Sequence, residues 1–273
     1  MFTPSTPLPP PAPSLTALLL GLATVRPDAP ALSGREPGQD ALPSLSYAGL
    51  MQQADALAQD LATRWGIQAG DRVVWLGLNH PTQIALLFAL ARLGAMLVPL
   101  NHRLAPAEWA AVLADCTPRC LVHDAAFADA ATALCAAPGG PVSIALRDLN
   151  TQAGPTALPA PTTDATHPAV LLVYTSGTTR FPTGAMLTHL GVVHPILHYA
   201  QSLGLDENVR GCAVVPLSHV TGLVAIMAVA LGLGGTLIVV PHFKAAEMLP
   251  LAAKERISFT IMVPAMYQLL LLQ

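Results

Sequence analysis

The stretch YTSGTTRFPTGAMLTH, residues 174–189, decides how the rest of this chain is read. An apolar run at 169–173 leads into it and has the composition of a strand buried on both faces. Thr175, Ser176, Gly177, Thr178 and Thr179 follow, four hydroxyls and a glycine in five positions. Such a loop presents hydroxyls and backbone N–H groups with little side-chain bulk between them. A small, highly charged anion such as a phosphate needs several donors converging on it. Ser and Thr hydroxyls also reach a phosphate-bound Mg²⁺. Most Ser/Thr/Gly clusters are only surface turns. This one lies between a buried strand and a second apolar run at 185–187, a placement that favours a ligand loop. The Walker A pattern G-x-x-x-x-G-K-[ST] is absent.

Upstream of the loop, short apolar runs alternate with helical patterns. Residues 72–78, 95–100, 119–123 and 142–146 read as strands, and 81–93, 106–115 and 125–136 as helices. Pro106 at a first helical position and Glu108 in the first turn support the second helix. Earlier still, 15–24 reads as a helix and Ala31–Leu32 as the start of a short strand. Ser46 is placed to cap a helix over 47–65, with Leu50, Ala54, Leu57, Leu61 and Trp65 on one face and Gly66 closing it. Residues 150–167 are a Thr/Pro/Ala-rich linker, and 1–13 form a Pro-rich tail expected to be disordered. Downstream, 190–203 is a helix containing Pro195, and strands at 212–215, 236–240 and 259–263 alternate with helices at 221–231 and 244–256. Pro264 opens a last helix. The expected fold is α/β: two βα subdomains with mostly parallel sheets flanked by helices, the first over 71–205 and an incomplete second beginning at 206–273.

Composition narrows the function. Hydrophobic residues make up 53% of the 273, while only 11% are charged, against a usual charged share of about 25%. A net charge of −3 and the lack of a basic tract argue against a nucleic-acid binder. The four cysteines, Cys116, Cys120, Cys135 and Cys212, contain no C-x-x-C pair and read as buried free thiols in a reducing, cytoplasmic setting. Mean hydropathy is +0.53, and the uncharged stretch 220–240 is long enough to span a bilayer. Gly232, Gly234 and Gly235 interrupt it, however, and a buried helix, a glycine turn and a strand account for it better. No basic residue precedes the apolar run at 15–23, so a secretory signal is not expected. His194 and His198 have a metal-binding spacing but lack the Glu of H-E-x-x-H. Ser218-His219 has no G-x-S-x-G elbow around it.

The 174–189 stretch resembles the phosphate-binding signature of the adenylate-forming ligases, the AMP-dependent synthetases that include acyl-CoA synthetases and luciferase, whose pattern is roughly YTSGTTGxPKGVMLTH. Six further segments are similar to this family's: LTALLLGLATVRPDAPAL, SLSYAGL, GDRVVWLGLNHP, LGAMLVPLNHRLAPAEW, VVPLSHVTGL and FTIMVPAMYQLLL. Together they reach across nearly all of the chain after residue 14, so 14–273 is expected to be a partial AMP-binding domain. The resemblance implies two βα subdomains with the active site in the cleft between them. It also implies ATP with Mg²⁺, a carboxylate that attacks the α-phosphate to give acyl-AMP, and a thiol such as coenzyme A that takes the acyl group. Thr175, Ser176, Gly177, Thr178 and Thr179 would hold the β- and γ-phosphates, with Arg180, Thr183 and Gly184 completing the loop and Thr178 reaching the metal. His219 would orient the carboxylate, and the acid would be fatty or otherwise apolar.

Two positions depart from the pattern. Arg180 stands where the family has Gly, and Thr183 where it has Lys. Thr183 brings no positive charge to the phosphates. Arg180 does, but on a backbone where a Cβ is disfavoured if φ is positive. The expectation is a weakened nucleotide loop. The family's adenine-binding stretch, Tyr-Gly-x-Thr-Glu loop, ribose-binding Asp, hinge and C-terminal Lys have no counterpart in these residues. Three readings therefore stay open: an acyl-CoA ligase, a truncated non-catalytic remnant with weak or no nucleotide binding, and one half of a split ligase completed by a second chain. On any of them the isolated chain is expected to form acyl-AMP at no appreciable rate.

Overall fold

The computed structural model describes residues 12–34, 44–152, 169–175 and 182–273. In chain order its elements are α1 (Leu15–Val25), β1 (Pro30–Gly34), β2 (Leu45–Ser46), α2 (Tyr47–Arg64), β3 (Arg72–Leu76), α3 (Pro81–Leu93), β4 (Met96–Pro99), α4 (Pro106–Cys116), β5 (Cys120–His123), α5 (Ala128–Cys135) and β6 (Val142–Ala145). They continue with β7 (Ala169–Thr175), β8 (Thr183–Thr188), α6 (His189–Leu203), β9 (Arg210–Ala213), α7 (Val229–Gly232), β10 (Thr236–Val239), α8 (Ala245–Glu255) and α9 (Pro264–Leu270). The Pro-rich tail up to residue 11 and the linker at 153–168 lie outside the described residues.

The chain divides into two units. One comprises Met51–Leu78 and Thr82–His189; the other comprises Met1–Leu50, Asn79–Pro81 and Leu190–Gln273. The first holds a six-stranded sheet in the order β6-β5-β3-β4-β7-β8. Its neighbours run parallel, except that β8 returns antiparallel beside β7. The Val/Leu runs of β3, β5 and β7 have no polar alternation because both faces are covered. From Ile84 to Ala91 every side chain of α3 is at most 4% exposed, and each large one contributes roughly 1.5–3 kcal/mol on burial. One core joins Val74, Leu76, Val98, Trp109, Val112 and Leu121 to Leu172 of β7. Glu108 Oε2 accepts from Ala105 N at 2.8 Å at the start of α4, as its first-turn position implied.

The second unit holds β2-β1-β10-β9, with β1, β10 and β9 parallel and β2 antiparallel on the edge. The sequence reading began this sheet at residue 206. The structure adds β1, whose Leu32, Ser33 and Gly34 pair with Leu237, Ile238 and Val239. β10 is buried throughout and needs a hydrogen-bonding neighbour on each side. Ser46 caps α2 as expected, its Oγ accepting from Gly49 N at 3.2 Å. Three local readings change. The strand expected at 212–215 is displaced to Arg210–Ala213, because the Val215 carbonyl is taken by a side chain, Asn79. The strand expected at 259–263 is a single bridge, Gly211 to Phe259, and the Thr260 hydroxyl then occupies the Cys212 carbonyl at 2.8 Å. The helix expected at 221–231 starts as a π-helix, Thr221–Ala228, before becoming α7. Among the described residues no helix is long and apolar enough to cross a membrane.

Candidate functional site

Each unit carries one of the two stretches the sequence singled out. In the first, β7 is buried from Val170 to Val173, half-buried at Tyr174 and exposed at Thr175. β8 returns with Thr183 opposite Thr175, Gly184 opposite Tyr174 and Ala185 opposite Val173. The connection between the two strands is therefore the 176–182 part of the signature. Ser176, Gly177, Thr178, Thr179 and Arg180 lie outside the described residues, and with them the expected metal contact at Thr178. The described ends are exposed threonines, and neither strand carries an acidic residue. The two strand ends thus offer hydroxyl groups and no carboxylate of their own. A Cβ at Gly184 would lie 2.7 Å from Leu172 Cδ1 and 3.1 Å from Tyr174 Cζ, so a side chain there would displace the end of Leu172 and press on the Tyr174 ring.

The exit of β7 is tied down. Tyr174 Oη donates to Asp115 Oδ2 at 2.5 Å, near the end of α4. Burial and this carboxylate acceptor both push the Tyr174 hydroxyl up from its ordinary range, keeping it a donor. The neighbouring Cys116 thiol is raised by burial to about 11.

In the second unit, His219 sits on the turn that starts the π-helix. Its N–H donates to Pro216 O at 3.2 Å, and its own carbonyl accepts from Leu223 N at 3.1 Å. The His219 side chain is exposed, with Val220 beside it 46% exposed. Ser218 is buried, and its Oγ has no hydrogen-bond partner. A Cβ on Gly222 would stand 2.6 Å from Pro216 O, so the π-helix lies directly against the turn. π-helical turns are rare and are frequent at functional sites.

Sequence reasoning passed over Asn79. This side chain is 5% exposed. Its Nδ2 lies 2.9 Å from Val215 O, 3.0 Å from Val240 O and 3.3 Å from Ala213 O, and its Oδ1 accepts from Leu217 N at 2.7 Å. The signal in GLNHP was an amide side chain directly after a buried strand, where a solvated loop would have no use for so many partners. Among the described residues no group of three His, Cys, Asp or Glu side chains is placed to hold a metal ion.

The structure is a largely parallel α/β fold in which the buried strand β7 runs into the hydroxyl-rich stretch of the sequence. Residues 22–273 match the family described as AMP-binding enzyme, and the chain belongs to that family. It is 34% identical over 230 residues to a feruloyl-CoA synthase of an Amycolatopsis species, covering 82% of this chain and 45% of that protein. It is also 34% identical over 255 residues to an indoleacetate–CoA ligase of Aromatoleum aromaticum, covering 88% of this chain and 49% of that protein. A solved structure described as a long-chain-fatty-acid CoA ligase from Rhodopseudomonas palustris superposes with a TM-score of 0.84 at 25% identity, over 95% of this chain and 65% of that one. The chain thus spans about half the length of the curated relatives it matches.

Proposed function

We propose that this chain takes part in ATP-dependent activation of a carboxylate to acyl-AMP and transfer of the acyl group to a thiol such as coenzyme A. The observation that carries the reading is the antiparallel closure of Thr175 on Thr183, which brackets the hydroxyl-rich signature at the end of a buried strand. The relatives support it, since each is named for joining an organic acid to coenzyme A. Thr175, Ser176, Gly177, Thr178, Thr179 and Gly184 would cradle the β- and γ-phosphates through hydroxyls and amides, with Arg180 as the cation and Thr178 beside Mg²⁺. The carboxylate would attack the α-phosphate of ATP and release pyrophosphate, and the AMP so joined would make the acyl carbon electrophilic and depart when the thiol attacks. His219 would orient the carboxylate, and the exposed Val220 next to it favours an apolar acid. Four free thiols accord with a reducing cytoplasm.

Thr183 gives the reading a second part, a weakened nucleotide loop. It is exposed at the base of the hairpin, where a Lys would place a charge and a Thr cannot. Calorimetric titration with Mg-ATP tests both parts. The double variant Arg180→Gly, Thr183→Lys is expected to bind ATP about tenfold more tightly than the wild type, roughly 1.4 kcal/mol. A double variant no tighter than the wild type refutes the weakened loop. Lack of saturable ATP binding by both proteins refutes the nucleotide reading itself.

A further inference from the structure

We propose that Asn79 is the positioning residue for the turn that carries His219, and so sets the affinity for the carboxylate substrate. The inference rests on the reading of His219 given above. One amide group gathers four backbone groups. Its Nδ2 faces the carbonyls of Ala213, Val215 and Val240, and its Oδ1 receives Leu217 N–H at 2.7 Å. Ala213 ends β9 and Val240 directly follows β10. The clamp therefore sits at the carboxyl ends of two parallel strands, where open α/β sheets bind their ligands. An amide has two N–H groups, so three carbonyl neighbours saturate it, with the 3.3 Å contact to Ala213 shared. At 5% exposure water does not replace these bonds.

The link to His219 is short and entirely backbone. Leu217, held by Asn79, lies two residues before His219, whose N–H closes the turn on Pro216 O. Gly222 packs close on the other side, since even a Cβ built on it would stand 2.6 Å from the Pro216 carbonyl oxygen. With the turn held between the amide and the π-helix, a shift of Leu217 N is a shift of the imidazole. A displacement of about 1 Å at a substrate-positioning group is worth up to a hundredfold. No other side chain does the same work. Asp keeps the acceptor for Leu217 but turns an anionic oxygen toward three carbonyls, and Ala removes all four contacts, although Ala213 O keeps the Val240 N–H at 3.1 Å.

The experiment uses the full 273-residue chain. Binding of ferulate, indoleacetate and palmitate is titrated in the presence of Mg-ATP, for the wild type and for Asn79→Ala, Asn79→Asp, His219→Ala and the double variant Asn79→Ala, His219→Ala. All titrations are run about 15 °C below the lowest melting temperature, so that a loss of global stability alone leaves affinity unchanged. Each single variant is expected to weaken the best of these acids about tenfold or more, while ATP affinity stays within about twofold of wild type. The double variant is expected to be no weaker than His219→Ala alone, because Asn79 acts through that side chain. Losses that multiply overturn the positioning role. So do Asn79 variants that keep full acid affinity while His219→Ala loses it, or Asn79 variants that give no cooperative melt; these results leave the functional reading standing. A His219→Ala variant that binds acid like the wild type, or a wild type that binds none of the three acids, overturns the reading of His219 and this inference with it.

Discussion

Replacing Gly222 by alanine sets two known effects against each other at the turn that bears His219. Alanine is the better helix former by about 1 kcal/mol. Its methyl would stand 2.6 Å from Pro216 O, 3.1 Å from Pro216 C and 3.2 Å from Leu217 Cα, all backbone atoms that no rotamer change can clear. Overpacking of this kind costs about 1–3 kcal/mol. The control is Gly21→Ala in α1, where the same substitution meets nothing within 4 Å. The propensity gain is common to both variants and cancels in their difference, which leaves the packing cost alone. At roughly 2–4 °C per kcal/mol for a domain of this size, Gly222→Ala should melt about 2–12 °C below Gly21→Ala. Differential scanning calorimetry of the two variants and the wild type reads this directly. Hydrogen exchange of the 214–223 peptide should rise only in Gly222→Ala. Equal melting temperatures for the two variants would refute the close approach of the π-helix to the turn.

Two further outcomes follow from buried groups. Tyr47 is fully buried, and its hydroxyl donates toward Leu231 O at 2.9 Å and Gly235 O at 2.7 Å. Tyr47→Phe takes the hydroxyl donor from Gly235 O, while Leu231 O keeps Gly234 N–H at 2.9 Å, and should destabilise the fold by about 1–3 kcal/mol in urea denaturation, a loss that an unchanged midpoint would contradict. Burial raises the thiols of Cys116 and Cys120 from the ordinary value of 9.0 to about 11, and that of Cys212 to about 12. The unfolded chain releases these protons first, so the stabilisation is complete below pH 9 and is lost as pH rises through 11 to 12. The urea midpoint should fall more steeply between pH 9 and 11 in the wild type than with all three cysteines changed to alanine. Parallel curves would show that the thiols contribute nothing.

Much of the fold was written in local chemistry. The Val/Leu runs, the Pro and Ser residues at helix starts and the glycines after α2 and α3 lie in the sequence where the elements begin and end. Gly66 and Gly94 take φ of +64° and +70°, which other residues rarely adopt. The signature also showed its own setting, a strand before it and an apolar run after it. Partnership across long separations was not legible. Nothing local in PALSG indicates that β1 will pair with β10 some 200 residues later, or that β8 will turn antiparallel in an otherwise parallel sheet.

The amino-acid sequence by itself determined the family and most of the strands and helices, and it proposed the residue types that would meet a phosphate or a carboxylate. These depend on spacing along the chain and on side-chain chemistry. Tertiary structure alone decided that Asn79 gathers the ends of β9 and β10, that a strand end at Tyr174 is anchored on Asp115, and that the helix after His219 opens in π form against Pro216. Each of these is a buried polar or steric contact between residues remote in sequence or pressed together by packing. Its energy exists only once water has been excluded and the partners have been brought together.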